Sequence, residues 1–376
     1  MIRKVVISVN SAWNIANFRG GLVRALQAQG WEVVAAAPPD EYVDRVRALG
    51  CRFVSVPMDS SGTNLARDLA LHRRFKEVLR EERPDVFLGF TIKPNIYGSL
   101  AAHSLGIPVV NNIAGLGTAF IRHNWLTVLA RRLYKFALRR SHTVFFQNDE
   151  DRQYFLEGGL LRAGQTDRVP GSGVDLDRFQ QRPLPAKSAG DPLRFLFVGR
   201  VLRDKGILEY VEAARRVHAA GIAADFAILG PADVQNRTAL SRADVDQWVG
   251  EGIVRYLGTT DDVRPFLEDA DCVVLPSYRE GVPRTLLEAA SMGRPLIATD
   301  APGCRDIVDD GVNGLLVQVG DGADLADKCM RFAAFGPDER SSMGRASRAK
   351  AEAEFDEQLV TRKYVACLRA IEAGTA

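Results

Sequence analysis

Short apolar runs recur along this chain, separated by stretches with helical spacing. Residues 3–9 alternate into a buried strand that ends at Asn10. After the loop 11–14 a helical pattern runs to Gly30, and residues 31–37 form the next strand. The unit then repeats: strand 52–56, a charged helix at about 65–82, strand 86–90, a helix around 96–105, and strands 108–112 and 143–147. Strands that alternate with helices predict a parallel sheet covered on both faces. Such a sheet takes its ligand at the carboxyl ends of its strands, where the strand order reverses.

Residues 180–192, rich in Pro and small side chains, read as an interdomain linker. A second set of units follows, with strands at 194–198, 225–229, 254–257, 271–277 and 295–299 and helices opening near Gly206 and Val263. A length of 376 residues exceeds one ordinary core, so two α/β domains are expected.

The most informative stretch is Glu280-Gly-Val-Pro-Arg-Thr-Leu-Leu-Glu288, which lies between two of those strands. Pro283 suits the first position of a short helix, and Gly293 the position just past its end. Glu280 then lies in the loop before the helix, and Glu288 roughly 7–8 Å along the axis from Pro283. Gly281 belongs to the same loop, and the backbone N–H groups of Val282, Pro283's neighbour Arg284, and Thr285 face the gap between the carboxylates. Amides backed by a helix dipole favour a phosphate, whereas carboxylates suit hydroxyl pairs such as a ribose diol or a sugar ring. A nucleotide sugar carries both. Gly199-Arg200 and Lys205-Gly206 end the first strand of the same half, at the same sheet edge. Two cations beside a helix N-terminus make a diphosphate clamp.

The first turn lacks Gly-x-Gly-x-x-Gly, and no Gly-rich loop ends in Lys-Ser/Thr, which disfavours a dinucleotide-dependent dehydrogenase and a P-loop kinase. The five cysteines are scattered without metal-ligand spacing and read as reduced thiols. No apolar run approaches the ~18 residues of a membrane span, and the start reads as a first strand rather than a signal peptide, so a cytoplasmic location is expected. The net charge of +2 hides an asymmetry: residues 1–180 carry 24 basic and 17 acidic residues (+7), residues 181–376 carry 25 and 30 (−5). Within the basic half, residues 120–142 hold six basic residues and no acid, interleaved with Phe120, Trp125, Leu126, Leu129, Leu133, Tyr134 and Phe136. The pattern suits an anionic membrane surface or a lipid diphosphate, or equally a core-packing helix whose outer face is basic. Nucleic-acid binding is not expected, because the second half is acidic and no recognition motif is present.

With Phe197-Val-Gly-Arg-Val-Leu-Arg-Asp-Lys-Gly206, Leu275-Pro-Ser-Tyr-Arg-Glu-Gly-Val-Pro-Arg-Thr-Leu-Leu-Glu-Ala289 and Asp309-Asp-Gly-Val-Asn-Gly-Leu-Leu316, the chain resembles the retaining glycosyltransferases of family 4 over nearly its whole length. The resemblance implies the GT-B fold: two Rossmann-like, doubly wound α/β domains facing a deep cleft, with a last helix at about 356–376 returning to the first domain. It implies an acceptor domain over 1–180 and a nucleotide-sugar donor domain over 181–355. It also assigns roles: Arg200 and Lys205 to the donor diphosphate, Glu280 to the transferred sugar, Glu288 to the ribose hydroxyls, and the neighbourhood of Tyr256-Leu257-Gly258 to the base.

Asn17-Phe-Arg19, Thr91-Ile-Lys-Pro-Asn95 and Asn111-Asn-Ile-Ala-Gly-Leu-Gly117 look like the branch that extends undecaprenyl-diphosphate-linked oligosaccharides, as in lipopolysaccharide O-antigen assembly and protein glycosylation. That branch includes transferases that add N-acetylgalactosamine to a lipid-linked bacillosamine-type sugar. Asn14, Arg19, Lys93, Asn95, Asn112, Arg131 and Arg132 are the acceptor-side candidates it suggests. Where many members carry a His, this chain has Ala114, leaving Asn111 or Asn112 to take its place. The partners implied are a UDP-sugar, a polyprenyl-diphosphate-linked sugar and an anionic membrane surface, with the protein peripheral on the cytoplasmic face of the inner membrane. No metal is expected, since the two cations already neutralise the diphosphate. Two other readings fit part of the pattern: another GT-B enzyme, such as a nucleotide-sugar epimerase, and a non-catalytic nucleotide-sugar binding protein. An epimerase needs acid/base groups acting on the free donor, and no such set is evident.

Overall fold

The computed structural model describes residues 3–59, 64–116, 125–188 and 190–374, with side chains from Val128 onward in the helix Trp125–Leu138. Phe120, Arg122 and Gly117, and the side chains of Trp125 and Leu126, lie outside the described residues. The chain forms two compact units: one runs to Ser172 and is completed by the segment from Glu357, and the other is Gly173–Asp356.

The first unit holds seven parallel strands: β1 Arg3–Ser8, β2 Trp31–Ala37, β3 Arg52–Ser55, β4 Val86–Phe90, β5 Val109–Ile113, β6 Thr143–Phe146 and β7 Thr166–Arg168, in the order β3-β2-β1-β4-β5-β6-β7. Every residue of β4 and β5 is buried, as a sheet covered on both faces requires. β7 pairs with β6 through only three residues, two of them charged, so apolar patterning does not reveal it. The helix expected to reach Gly30 is two helices, Ala12–Phe18 and Gly20–Ala28. They part at Arg19, which leaves the helical region (φ −123°) and places its guanidinium 4.2 Å from the centre of the Phe90 ring. The helix expected at 96–105 begins instead as a π-helical turn, Pro94–Gly98, followed by Ser99–Ser104.

The last helix, Glu357–Glu372, packs on this unit, as the resemblance implies. Its Tyr364 is 1 % exposed, with ring centres 4.8 Å from Phe145 and 5.8 Å from Phe90. The Tyr364 hydroxyl accepts a hydrogen bond from Asn112 at 2.9 Å.

The second unit has six parallel strands: β8 Leu193–Val198, β9 Ala224–Leu229, β10 Arg255–Tyr256, β11 Cys272–Leu275, β12 Leu296–Thr299 and β13 Gly314–Val317, in the order β10-β9-β8-β11-β12-β13. The switch points are β1/β4 in the first unit and β8/β11 in the second. β13 is an edge strand hidden in sequence behind its polar Asp-Asp-Gly-Val-Asn loop. All five cysteines are free thiols.

The division between the units falls at Ser172/Gly173 rather than near Gln180. The reason is backbone pairing: Val174 donates to Phe355 (2.8 Å) and Arg182 to Met292 (3.1 Å), so the Pro-rich stretch begins along the second unit instead of hanging between domains. Arg294 fixes it there. Its fully buried guanidinium donates to the carbonyls of Pro183 (2.8 Å), Met292 (3.1 Å), Glu268 (3.2 Å) and Ala270 (3.3 Å), and also to that of Arg182. Arg294→Met keeps the bulk but strands these carbonyls, and it is expected to lower the unfolding free energy by about 3 kcal/mol, read by urea-induced unfolding.

Candidate active site

The second unit's switch point assembles the site. β8 ends at Val198 and leads into Gly199 and Arg200; β11 ends at Leu275 and leads into the loop that carries Glu280. The strands are parallel neighbours, pairing Phe195 with Cys272 and Leu196 with Val273, so both loops leave the same edge. The loops are locked together by the Tyr278 N–H, which donates to the Asp204 carbonyl at 3.0 Å. Gly206 makes this approach possible. Its φ is +72°, and a Cβ there would lie 2.0 Å from the Pro276 carbonyl oxygen, so no other residue fits.

This packing brings Lys205 and Glu280 into direct contact as an ion pair, their side chains 23 % and 15 % exposed. Arg200 is exposed on the neighbouring turn, with no ion pair among the described residues. The helix begins one residue later than expected, spanning Arg284–Ser291 with Pro283 as its N-cap (ψ 118°), and it ends before Gly293 in the left-handed region (φ +73°). The Thr285 hydroxyl donates to the Val198 carbonyl at 3.2 Å, which sets the first turn of that helix against the end of β8. Glu280 is held from behind, its N–H donating to the Pro302 carbonyl at 3.2 Å.

Glu288 lies 14 % exposed on the same helix and accepts from Arg284 Nε at 2.9 Å. Arg284 is itself anchored through a 2.7 Å bond to the Gly173 carbonyl. Burial raises the Glu288 carboxyl above the usual carboxylate range; the charges of Arg284 and then Arg178 oppose that rise. Arg284 is therefore the group that orients Glu288. Gly258 follows β10, and its carbonyl accepts from the Gly230 N–H at 2.8 Å. The Tyr256 hydroxyl donates to the Gly230 carbonyl at 2.9 Å, fixing the turn beside it.

Sequence reasoning did not single out Asp204, Tyr278 or Arg178. Tyr278 holds the loop through its backbone, and its hydroxyl donates to Glu209 at 2.7 Å; burial, and then Glu209, push that hydroxyl up to about 12. Its place between strand and Glu280 was the available signal.

In the first unit the acceptor candidates separate. Asn14 and Arg19 follow β1, on the edge where β1 and β4 diverge. Asn14 Oδ1 is buried there without a hydrogen-bond partner among the described residues, as is the Thr91 hydroxyl, on a residue with φ +62°. Lys93 is held by Asp68 at 3.0 Å. Asn95 and Asn112 are at most 1 % exposed and belong to an interior amide network. Asn95 donates to the Asn112 carbonyl (2.8 Å), Asn111 donates to Asn95 Oδ1 and Ser99 Oγ (both 2.9 Å), and the Ser141 hydroxyl donates to Asn111 (2.7 Å). These amides are committed to one another, so neither Asn111 nor Asn112 presents its side chain where a His would stand, and Ala114 is exposed. Arg131 stacks on Tyr154, 5.2 Å from the ring centre, while Arg132 faces solvent.

A model of the group 1 glycosyl transferases matches residues 192–334, and one of the glycosyl transferase 4-like domain matches residues 15–172. Across 94 % of both chains, 26 % of residues are identical to the N,N'-diacetylbacillosaminyl-diphospho-undecaprenol alpha-1,3-N-acetylgalactosaminyltransferase of Campylobacter jejuni. The identity is also 26 % to the UDP-Gal:alpha-D-GlcNAc-diphosphoundecaprenol alpha-1,3-galactosyltransferase of Escherichia coli, over 76 % of this chain and 75 % of that one. Among solved structures, HepE of Anabaena in complex with UDP-glucose superposes with a TM-score of 0.79 at 16 % identity, covering 98 % of this chain and 99 % of that one. Two parallel α/β units in this order, each matched by a glycosyltransferase model, place the chain among the glycosyltransferases of the GT-B fold.

Proposed function

We propose that the protein transfers a sugar, N-acetylgalactosamine first among the candidates, from a UDP-sugar to a polyprenyl-diphosphate-linked sugar with retention at the anomeric carbon. It works as a peripheral protein at the cytoplasmic face of the inner membrane. The observation that carries this reading is the Lys205–Glu280 contact at the β8/β11 edge, beside the helix that carries Glu288. The printed activities of the Campylobacter jejuni and Escherichia coli relatives support the lipid-linked acceptor.

In this reading the arriving diphosphate takes Glu280's place on Lys205. The ammonium and Arg200 then face phosphate oxygens, and Glu280 turns to a hydroxyl of the transferred sugar. Glu288, aimed by Arg284, accepts from the ribose hydroxyls. Attack is on the front face: the acceptor oxygen bonds to the anomeric carbon on the side that the diphosphate leaves. The bonding pair departs with the phosphate, and a phosphate oxygen takes the acceptor proton. The protein's contribution is electrostatic, since its cations and helix N-terminus stabilise charge as it grows on the leaving group. No metal is assigned to this site, because Arg200 and Lys205 supply the positive charge.

Transfer from UDP-N-acetylgalactosamine to a synthetic polyprenyl-diphosphate sugar tests the reading. Arg200→Ala or Lys205→Ala is expected to lower turnover by about 10²–10³ with donor saturating; near-normal turnover would remove these residues from the mechanism. Turnover is expected to persist in excess EDTA, and strict dependence on Mg²⁺ or Mn²⁺ would contradict the assignment. Because burial raises the Glu288 carboxyl, its ionised form is lost at higher pH than in a free glutamate as the solution is acidified. UDP affinity, measured by calorimetry, is therefore expected to fall already in mildly acidic buffer, with Glu288→Gln binding more weakly and without that fall.

A further inference from the structure

Two loops of the second unit carry the paired charges of the site: the one after β8 holds Lys205, and the one after β11 holds Glu280. In the proposed function this pair separates when the donor diphosphate arrives, so the placing of Lys205 then depends on what else joins the two segments. Tyr278, two residues before Glu280, joins them twice. Its backbone N–H donates to the carbonyl of Asp204, the residue before Lys205, at 3.0 Å. Its hydroxyl donates to Glu209 Oε1 at 2.7 Å, in the first turn of the helix Ile207–Ala219, which Gly206 opens just beyond Lys205. Lys205 is thereby gripped on both sides by one residue of the loop that carries its partner.

The second of these bonds joins a hydroxyl to a carboxylate, among the stronger kinds of hydrogen bond. Burial, and then Glu209, hold the Tyr278 hydroxyl up at about 12, so it remains a donor throughout the neutral range. Glu209 Oε2 is buried with no hydrogen-bond partner among the described residues, which leaves the carboxylate tied to the tyrosine through its other oxygen. The far flank of the Lys205 segment is pinned by Arg203, whose N–H donates to the Thr238 carbonyl at 2.8 Å. Tyr210, on the same helix as Glu209, provides a contrast. It is fully buried, and its hydroxyl lies 2.8 Å from the Phe195 carbonyl and 3.0 Å from that of Ala227. Tyr210 therefore ties strands β8 and β9 in the body of the sheet, whereas Tyr278 ties the two loops from which the site's charges project.

We propose that the Tyr278 hydroxyl and the Glu209 carboxylate form a positioning pair for Lys205, holding its ammonium in line with the donor diphosphate once Glu280 has turned to the sugar. The inference rests on the proposed function and deepens it: both residues act through the lysine rather than on the substrate.

The test compares the binding of UDP and UMP to the whole protein by calorimetry. UDP adds a second phosphate to the groups that UMP carries, so the preference for UDP reads the grip of the site's cations on the diphosphate. Tyr278→Phe, which keeps the ring and the backbone N–H, is expected to lower that preference and the turnover with saturating donor by about 10-fold each, with UMP affinity unchanged. Glu209→Ala should match it, Glu209→Gln, which keeps an acceptor oxygen, should retain more of the preference, and the double variant Tyr278→Phe/Glu209→Ala should lose no more than either single one. Tyr210→Phe, the control, should lower the urea concentration of half-unfolding and leave the preference for UDP as it was. An unchanged preference in Tyr278→Phe, a loss of UMP and UDP affinity together, or additive losses in the double variant would overturn the positioning pair. Failure of the transferase reading is seen separately, in the unmodified protein, as the absence of any preference for UDP over UMP, and it would remove this inference with it.

Discussion

The ion pair between Lys205 and Glu280 depends on a pairing made beneath it, the hydrogen-bonded adjacency of β8 and β11. The two residues stand 75 positions apart in sequence, and nothing local brings them together. They meet because two parallel strands lie side by side at the point where the sheet reverses its order. Each charge alone at this partly buried edge would carry a desolvation cost; together they offset it. Under the proposed function this pair exchanges partners when the donor arrives instead of shedding a full shell of water. The arrangement suits a ligand that brings an anion for Lys205 and hydroxyls for Glu280 in one molecule.

The sequence makes much of this arrangement visible. Apolar runs of four to six residues between helical stretches are the signature of a sheet buried on both faces, and both units contain one. Glu280, Pro283 and Glu288 are spaced so that one short helix serves both carboxylates, and the structure differs only in making Pro283 the cap. What sequence does not display is set by tertiary contacts. The amide and carbonyl that join Tyr278 to Asp204 carry no side-chain signature. Arg284, in a loop that reads as contacting the nucleotide, turns onto Glu288 because the Gly173 carbonyl holds its other nitrogen. The domain division was displaced for a similar reason: Pro and small residues mark a chain that runs extended, and an extended chain can lie along a domain as readily as between two.

The asparagines of the first unit show how a polar motif can have two physical meanings. Asn95 follows β4 and Asn111 and Asn112 lie on its neighbour β5, beside the switch point, where polar residues suggest a ligand. Buried at 0–1 %, they join the π-helical turn Pro94–Gly98, β5 and, through Ser141, the start of β6. A fully satisfied interior network of this kind makes an edge rigid, and replacing one member leaves the others unpaired in a dry core. Asn14 Oδ1 and the Thr91 hydroxyl differ from them, because burial leaves each without a partner among the described residues. Thr91 also holds a left-handed backbone that a β-branched residue adopts at a cost. Function at this edge is therefore better sought in residues whose polarity is unmet than in those whose amides are already bonded.

Charge is distributed with the same local logic. The first half's excess of seven positive charges (24 − 17) could have been spread evenly as a solubilising field. Many of its bases, however, are tied to acids or aromatic rings: Arg52 and Lys4 to Glu82, Lys93 to Asp68, Arg168 to Asp149, Arg131 to Tyr154 and Arg139 to Phe136. The uncompensated remainder includes Arg132, Lys135, Arg140 and Arg162, four side chains around one helix and the turn beside it. A surface that is +2 overall but concentrates unpaired cations on one face, among exposed leucines and a phenylalanine, has an orientation with respect to any anionic plane it meets. Under the proposed function, with the acceptor fixed in such a plane, that orientation counts as much as affinity, because a correctly built site on a freely tumbling molecule meets a membrane-bound substrate edge-on only by chance.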